Sequence, residues 1–171
     1  GLFMVGDHET SDRDRDGWDS PHVWNDLTGA TGTTTAGIFG IWMRVNGIGD
    51  QGSEDWFDDG TDSNVETSLT DPIIRGPFGS GTGGLGLFGA TSMDLNPADN
   101  PTALGHVWRT GQAHGNLRVT FATASYGAGR VAAIGDSSPA DDLLAWCSSV
   151  SSMPQRQSPR LDLPEAQAAA A

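Results

Sequence analysis

Two segments of this chain share one layout: an apolar run, then Gly-Asp, then a Ser-Pro pair. Leu2 to Val5 leads into Gly6-Asp7-His8 and, after a charged stretch, into Ser20-Pro21. "RVAAI" leads into Gly135-Asp136-Ser137 and directly into Ser138-Pro139. A short apolar run reads as a buried strand. Ser ahead of Pro, ahead of a periodic segment, reads as the start of a helix. A strand followed by a helix, twice over, confines the chain to folds in which strand ends share an edge. In an open α/β sheet that edge is where ligands bind. Asp also turns a chain after a strand with no functional consequence. That explains a single copy equally well, whereas the pair favours a shared site carrying Asp7, His8, Asp136 and Ser137.

The chain has 171 residues, enough for one domain with a core of its own. Domain limits of 1–150 are expected, with 151–171 a disordered or expression-derived tail, because that stretch is polar, Pro-rich and ends in four alanines. The 22 acidic residues outnumber nine basic ones, all arginines, for a net charge of −13. Such a surface excludes nucleic acid and anionic membrane as partners, since both require a basic footprint. It suits a cation or a neutral small molecule. A single cysteine, Cys147, excludes an internal disulfide and a Cys-based zinc site. No apolar stretch approaches the ~20 residues of a membrane span.

Between the two Gly-Asp copies, "HVWNDL" followed by Gly29 reads as a short helix and "GIFGIWMRV" as a strand. Asn46 to Asn64 reads as a long Gly- and Asp-rich loop. "GLGLFGATSMDL", "ALGHVWRT" and "LRVTFATASYG" read as successive strands, with "YGAG" as a tight connection into "RVAAIGD". "ADDLLAWCSSV" reads as a closing helix. His22, His106 and His114 receive no role.

Asp12-x-Asp14-x-Asp16-Gly17 has the spacing of an EF-hand-type calcium loop. Alternate carboxylates converge when the chain wraps an ion, and glycine permits the sharp turn. Position seven supplies a backbone carbonyl, here that of Trp18, and position nine falls on Ser20. Hard oxygen donors select calcium over zinc or copper. Position twelve, where a bidentate Glu belongs, holds Val23. Asp19, Asp26 or a carboxylate of the long loop must then complete the shell. The competing reading is a solvated run in which Arg13 and Arg15 neutralise their neighbours.

"GLFMVGDHETSDRDRDGWDSPHVWNDL", "DPIIRGPFG" and "YGAGRVAAIGDSSPADD" resemble segments of exported bacterial proteins. Their domain is related to the class I glutamine-amidotransferase-like fold. The shared pattern GDH-x-x-SDR-x-x-DGWDS maps onto Asp7, His8, Ser11, Asp12, Asp16, Asp19 and Ser20. The resemblance implies an α/β three-layer sandwich, N-terminally incomplete here, with an open sheet edge through which a homo-oligomer could form. It also implies a secreted or periplasmic location. Amidotransferase chemistry does not carry over, because Cys147 falls in an expected helix away from the strand edge.

Three functions are compatible with these residues. The favoured one is a calcium-dependent hydrolase of a small neutral ester or lactone, for example an acyl-homoserine lactone. Calcium would act on the carbonyl or on water, with Asp7 or His8 as general base. The second is a non-catalytic, calcium-stabilised binding or scaffold module. The third is a serine esterase using Ser137 in "IGDSS", although no histidine follows His114 to act as its base. If calcium binds only the folded loop, millimolar calcium should raise the melting temperature over chelator-treated protein. Coincident melting curves in scanning calorimetry would remove the ion site.

Overall fold

The computed structural model describes residues 1–7, 16–45, 56–58, 64–66, 71, 73 and 87–137. In chain order the elements are β1 (Leu2–Val5), α1 (Ser20–Thr28), β2 (Ala30–Gly32), β3 (Thr35–Ala36), β4 (Ile41–Met43), β5 (Trp56–Asp58), β6 (Leu87–Ala90), β7 (Met93–Leu95), β8 (Leu104–Trp108), β9 (Val119–Tyr126) and β10 (Gly129–Ile134). The expected closing helix, the tail from 151 and most of the long Gly/Asp loop lie outside the described residues.

These elements correct the expected α/β three-layer sandwich. Among the described residues the structure is mostly β-sheet, with one short helix and a main sheet curled into a half-barrel. The physical reason lies in the pairing. The main sheet runs β1-β10-β9-β7-β4, with β8 also on β9, and only β1 and β10 are parallel. Antiparallel neighbours need no helical crossover to join them. β9 and β10 are joined by the two residues Gly127-Ala128, and Gly127 has φ 56, the positive value a type II′ hairpin requires at its first loop position. Register shifts along β8, at Gly105/Val107 and Val107/Trp108, add the local twist that helps curl the sheet.

Alternation along the strands decides which side chains enter the core. Ala122 and Ala124 of β9, Val131 and Ala133 of β10, and Met4 of β1 are buried in one cluster with Ile41, Met43 and Met93. Thr123, Ser125, Arg130, Ala132 and Phe3 therefore lie on the opposite face. On β7, Asp94 is fully buried, accepting from the Arg118 N–H at 3.0 Å and from the Arg44 guanidinium. Burial and the nearby charge of Arg44 lower the pKa of Arg118 below its ordinary value.

The helix α1 starts one residue earlier than its Ser-Pro signal suggests. Asp19, not Ser20, is the N-cap, and its carboxylate accepts from the His22 N–H at 3.0 Å. Gly29, in the left-handed region at φ 73, closes the helix. The buried Asn25 fastens α1 to β4: its Nδ2 donates to the Met43 carbonyl at 2.7 Å and its Oδ1 accepts from the Met43 N–H at 3.0 Å. One side chain thus replaces a missing strand partner.

Gly135 sits where four segments meet. Its N–H donates to Thr120 O at 2.9 Å, its carbonyl accepts from the Thr91 N–H at 2.9 Å, and the preceding Ile134 carbonyl accepts from Gly6 at 2.7 Å. A Cβ at position 135 would lie 1.9 Å from the Thr91 carbonyl oxygen, which is backbone and cannot swing away. Gly135→Ala should therefore cost at least the roughly 1–3 kcal/mol typical of overpacking. Gly111→Ala, at φ +76 with open space around it, should cost only about 1–2 kcal/mol from the left-handed backbone. Equal midpoints for the two variants in urea unfolding would contradict the close approach.

Candidate functional site: a strand-end carboxylate pair

β1 and β10 run parallel in register, with Val5 opposite Ile134, and the Gly6–Ile134 hydrogen bond extends the pairing past the strand ends. Asp7 and Asp136 consequently leave the sheet as neighbours at one edge. Asp136 is only 1% exposed and Asp7 is half-buried, and both are engaged by surrounding groups. Thr91 and Met43 line the floor, since a Cβ on Gly6 would come within 3.2 Å of Met43 Sδ and of Thr91 Cγ2. Ser137 follows at the exposed rim. His8 lies outside the described residues, as do Asp12 and Asp14.

The described end of the acidic loop has the geometry its spacing asks of it in part. Gly17 adopts φ 87, the turn that position six of a calcium loop demands. Asp16 Oδ1 accepts from the Trp18 N–H at 2.8 Å, and both residues are exposed. Ser20 Oγ is buried with no partner among the described residues, an orphan acceptor at position nine. These features fit an oxygen-liganded cation. Asp19 does not: its carboxylate caps α1 and also contacts His22 Nδ1 at 2.7 Å, so it is committed to the helix. Asp26 stands exposed on α1. Among the described residues no three His, Cys, Asp or Glu side chains cluster as a metal site.

The helix α1 is also tied to the end of β1. Trp24 Nε1 in α1 donates to the Val5 carbonyl at 3.0 Å, tying the helix that follows the loop to the strand that precedes it. The chain leaves the edge at Asp7, and α1 returns beside the end of β1.

One constellation has no sequence counterpart in the readings above. His106 of β8 contacts Asp71 Oδ2 through Nδ1 at 2.7 Å and Thr123 Oγ1 through Nε2 at 2.7 Å. The three residues are separated by 35 and 17 positions, so no local motif announces them. The only sequence hint is a histidine set among apolar residues in "ALGHVW".

No family model matches the sequence, and no curated protein or solved structure matches the chain.

If Asp19 is a cap and not a cation ligand, Asp19→Ala should lower stability by about 1 kcal/mol. Calorimetry should find the same loss with calcium and with chelator. A loss confined to the calcium-loaded protein would return Asp19 to the ion shell.

Proposed function

We propose that this chain is a hydrolase of small neutral esters or lactones that works at the edge shared by Asp7 and Asp136. The observation that carries the reading is the in-register parallel pairing of β1 and β10, which makes neighbours of two Gly-Asp segments from opposite ends of the described chain. The buried Asp136 is suited to hold and orient. The half-buried Asp7 can accept a proton from water as that water attacks the substrate carbonyl, then return it to the departing alkoxide. An ester yields an acid and an alcohol, and a lactone yields one hydroxy acid. His8, the next residue, is the alternative base.

Asp12, Asp14, Asp16 and the Trp18 carbonyl would hold calcium, which when bound supplies Lewis acidity toward a carbonyl oxygen. The net charge of −13 disfavours anionic substrates and supports a neutral one. The strict packing need for glycine at position 135 favours a second reading, in which Gly-Asp is a structural turn and the domain is a calcium-stabilised binding module.

A panel of short esters and lactones, assayed with and without chelator, separates these readings. Asp7→Asn should reduce turnover by ~10²–10⁴ while leaving the calcium-dependent melting shift intact. Asp12→Ala should abolish both, and Ser137→Ala should change neither. Folded, calcium-loaded protein that hydrolyses nothing in the panel would leave the binding module in place of the hydrolase.

A further inference from the structure

Asp71, His106 and Thr123 form a carboxylate–imidazole–hydroxyl relay, and the hydroxyl end opens on a cleft. His106 is 1% exposed and Asp71 is 8% exposed, so the imidazole is shielded from competing water. The Phe121 ring packs against it at 5.7 Å between centroids, tilted 47°, and limits its rotation. Where Asp71 accepts from Nδ1–H, the other ring nitrogen of that tautomer, Nε2, carries the lone pair. The lone pair of Nε2 is then directed at Thr123 Oγ1, 2.7 Å away. This is the arrangement by which a base activates a hydroxyl nucleophile and a third group orients the base.

The cleft has a volume of about 420 Å³ and is lined by Thr123 with Phe3, Ile73, Thr102, Ser125 and Arg130, among others. Phe3 pairs with Ala132, and Ala132 pairs with Thr123, so an exposed aromatic ring and the hydroxyl share one cross-strand row. Apolar walls with a few convergent polar groups are the usual form of a small-molecule site. Arg130 lies two residues along β10 from Ala132, a diagonal neighbour of Thr123 roughly 7–8 Å away, and brings positive charge to the same face. The site is separate from the carboxylate edge. Asp136 lies four residues beyond Ala132, past the end of β10, at most roughly 13 Å at ~3.3 Å per residue.

We infer that Thr123 is an acyl-accepting nucleophile, activated by His106, for small uncharged esters bound in this cleft. Thr123 Oγ1 attacks the ester carbonyl and its proton passes to His106 Nε2. The tetrahedral oxyanion forms on the side of Arg130, and it collapses as Nε2 gives the proton to the departing alkoxide. The products are one alcohol and an acyl-threonine ester, which water cleaves by the same proton path in reverse. Asp71 acts as a positioning residue. The inference goes beyond the proposed edge site and stands without it.

The full chain, incubated with p-nitrophenyl acetate, should release a burst of nitrophenolate and gain one acetyl group by intact mass, mapped to Thr123 by peptide sequencing. The chain has no lysine, so adventitious acylation has few other acceptors. Thr123→Val should lose the burst and Thr123→Ser should keep it. His106→Gln should slow acetylation by ~10²–10⁴. Asp71→Asn should slow it too, with Thr123 still the labelled residue and the pH dependence of labelling altered, a change that mere loosening of the fold would not give. Circular dichroism confirms each variant is folded. Turnover of p-nitrophenyl acetate that continues in Thr123→Val without acetylation belongs to the edge site, so failure of the edge reading and failure of this one are told apart. Acetyl found only at other residues, or labelling of Thr123→Val at the wild-type rate, would each overturn the proposal.

Discussion

The strand edge shared by Asp7 and Asp136 depends on how closely Gly135 approaches Thr91. The backbone at 135 bonds on one side to β9 and on the other to the segment leading into β7, while Ile134 bonds to Gly6 beyond β1. No side chain fits there, because even a methyl group would be driven into a peptide carbonyl. The meeting of these segments stops β10, and the next residue, Asp136, is enclosed as a result. It also brings the end of β1 alongside, so that Asp7 emerges at the same place. The glycine of the second Gly-Asp pair is thus a packing requirement, while that of the first is only tightly packed against Met43 and Thr91.

The helix α1 extends that constraint to β4. Asn25 satisfies both backbone groups of Met43, and Trp24 reaches the Val5 carbonyl, so one nine-residue helix joins β4 to the end of β1. Replacing Asn25 with an apolar side chain of similar volume would strand two buried backbone groups, each worth about 1–3 kcal/mol in lost satisfaction. The same helix follows directly on Gly17 to Asp19 and so anchors the described end of the acidic run at Asp16. Asp19 illustrates the division of labour. It belongs to an acidic run by sequence and to the helix cap by geometry.

The two candidate sites use the sheet differently. The edge site exploits strand ends, where backbone pairing stops and polar groups gather. The relay exploits strand middles, where antiparallel register puts β8 against β9 and brings His106 to Thr123. Asp71 completes it from a segment that reaches this face near the isolated bridge between Val65 and Val107. The buried Asp94, paired with Arg44 and the Arg118 backbone, has a different part. It holds β7, β9 and the segment after β4 together, and a buried pair of this kind costs about 3–5 kcal/mol to break by removing one partner.

Several features were legible from residue order because their causes are local. The alternation in "VTFATASY", the Gly127-Ala128 turn, the Pro21 and Gly29 punctuation of α1 and the turn at Gly17 each follow from the conformational limits of a few adjacent residues. The shared edge was legible too, because two copies of one layout pointed to it. The fold class was not. Antiparallel pairing of β7, β8, β9 and β10 depends on which distant strands meet, and a resemblance to α/β proteins pointed the other way. Nor could order reveal that Asp19 is used up as a cap or that His106 bridges Asp71 and Thr123 across 35 and 17 residues. The sequence by itself determined where β1, β8, β9 and β10, the turn between the last two and the carboxylates occur, but not β2, β3, β5 or the break between β6 and β7. Only the tertiary structure decided which of them touch, because contacts between segments far apart in the chain are set by register and packing.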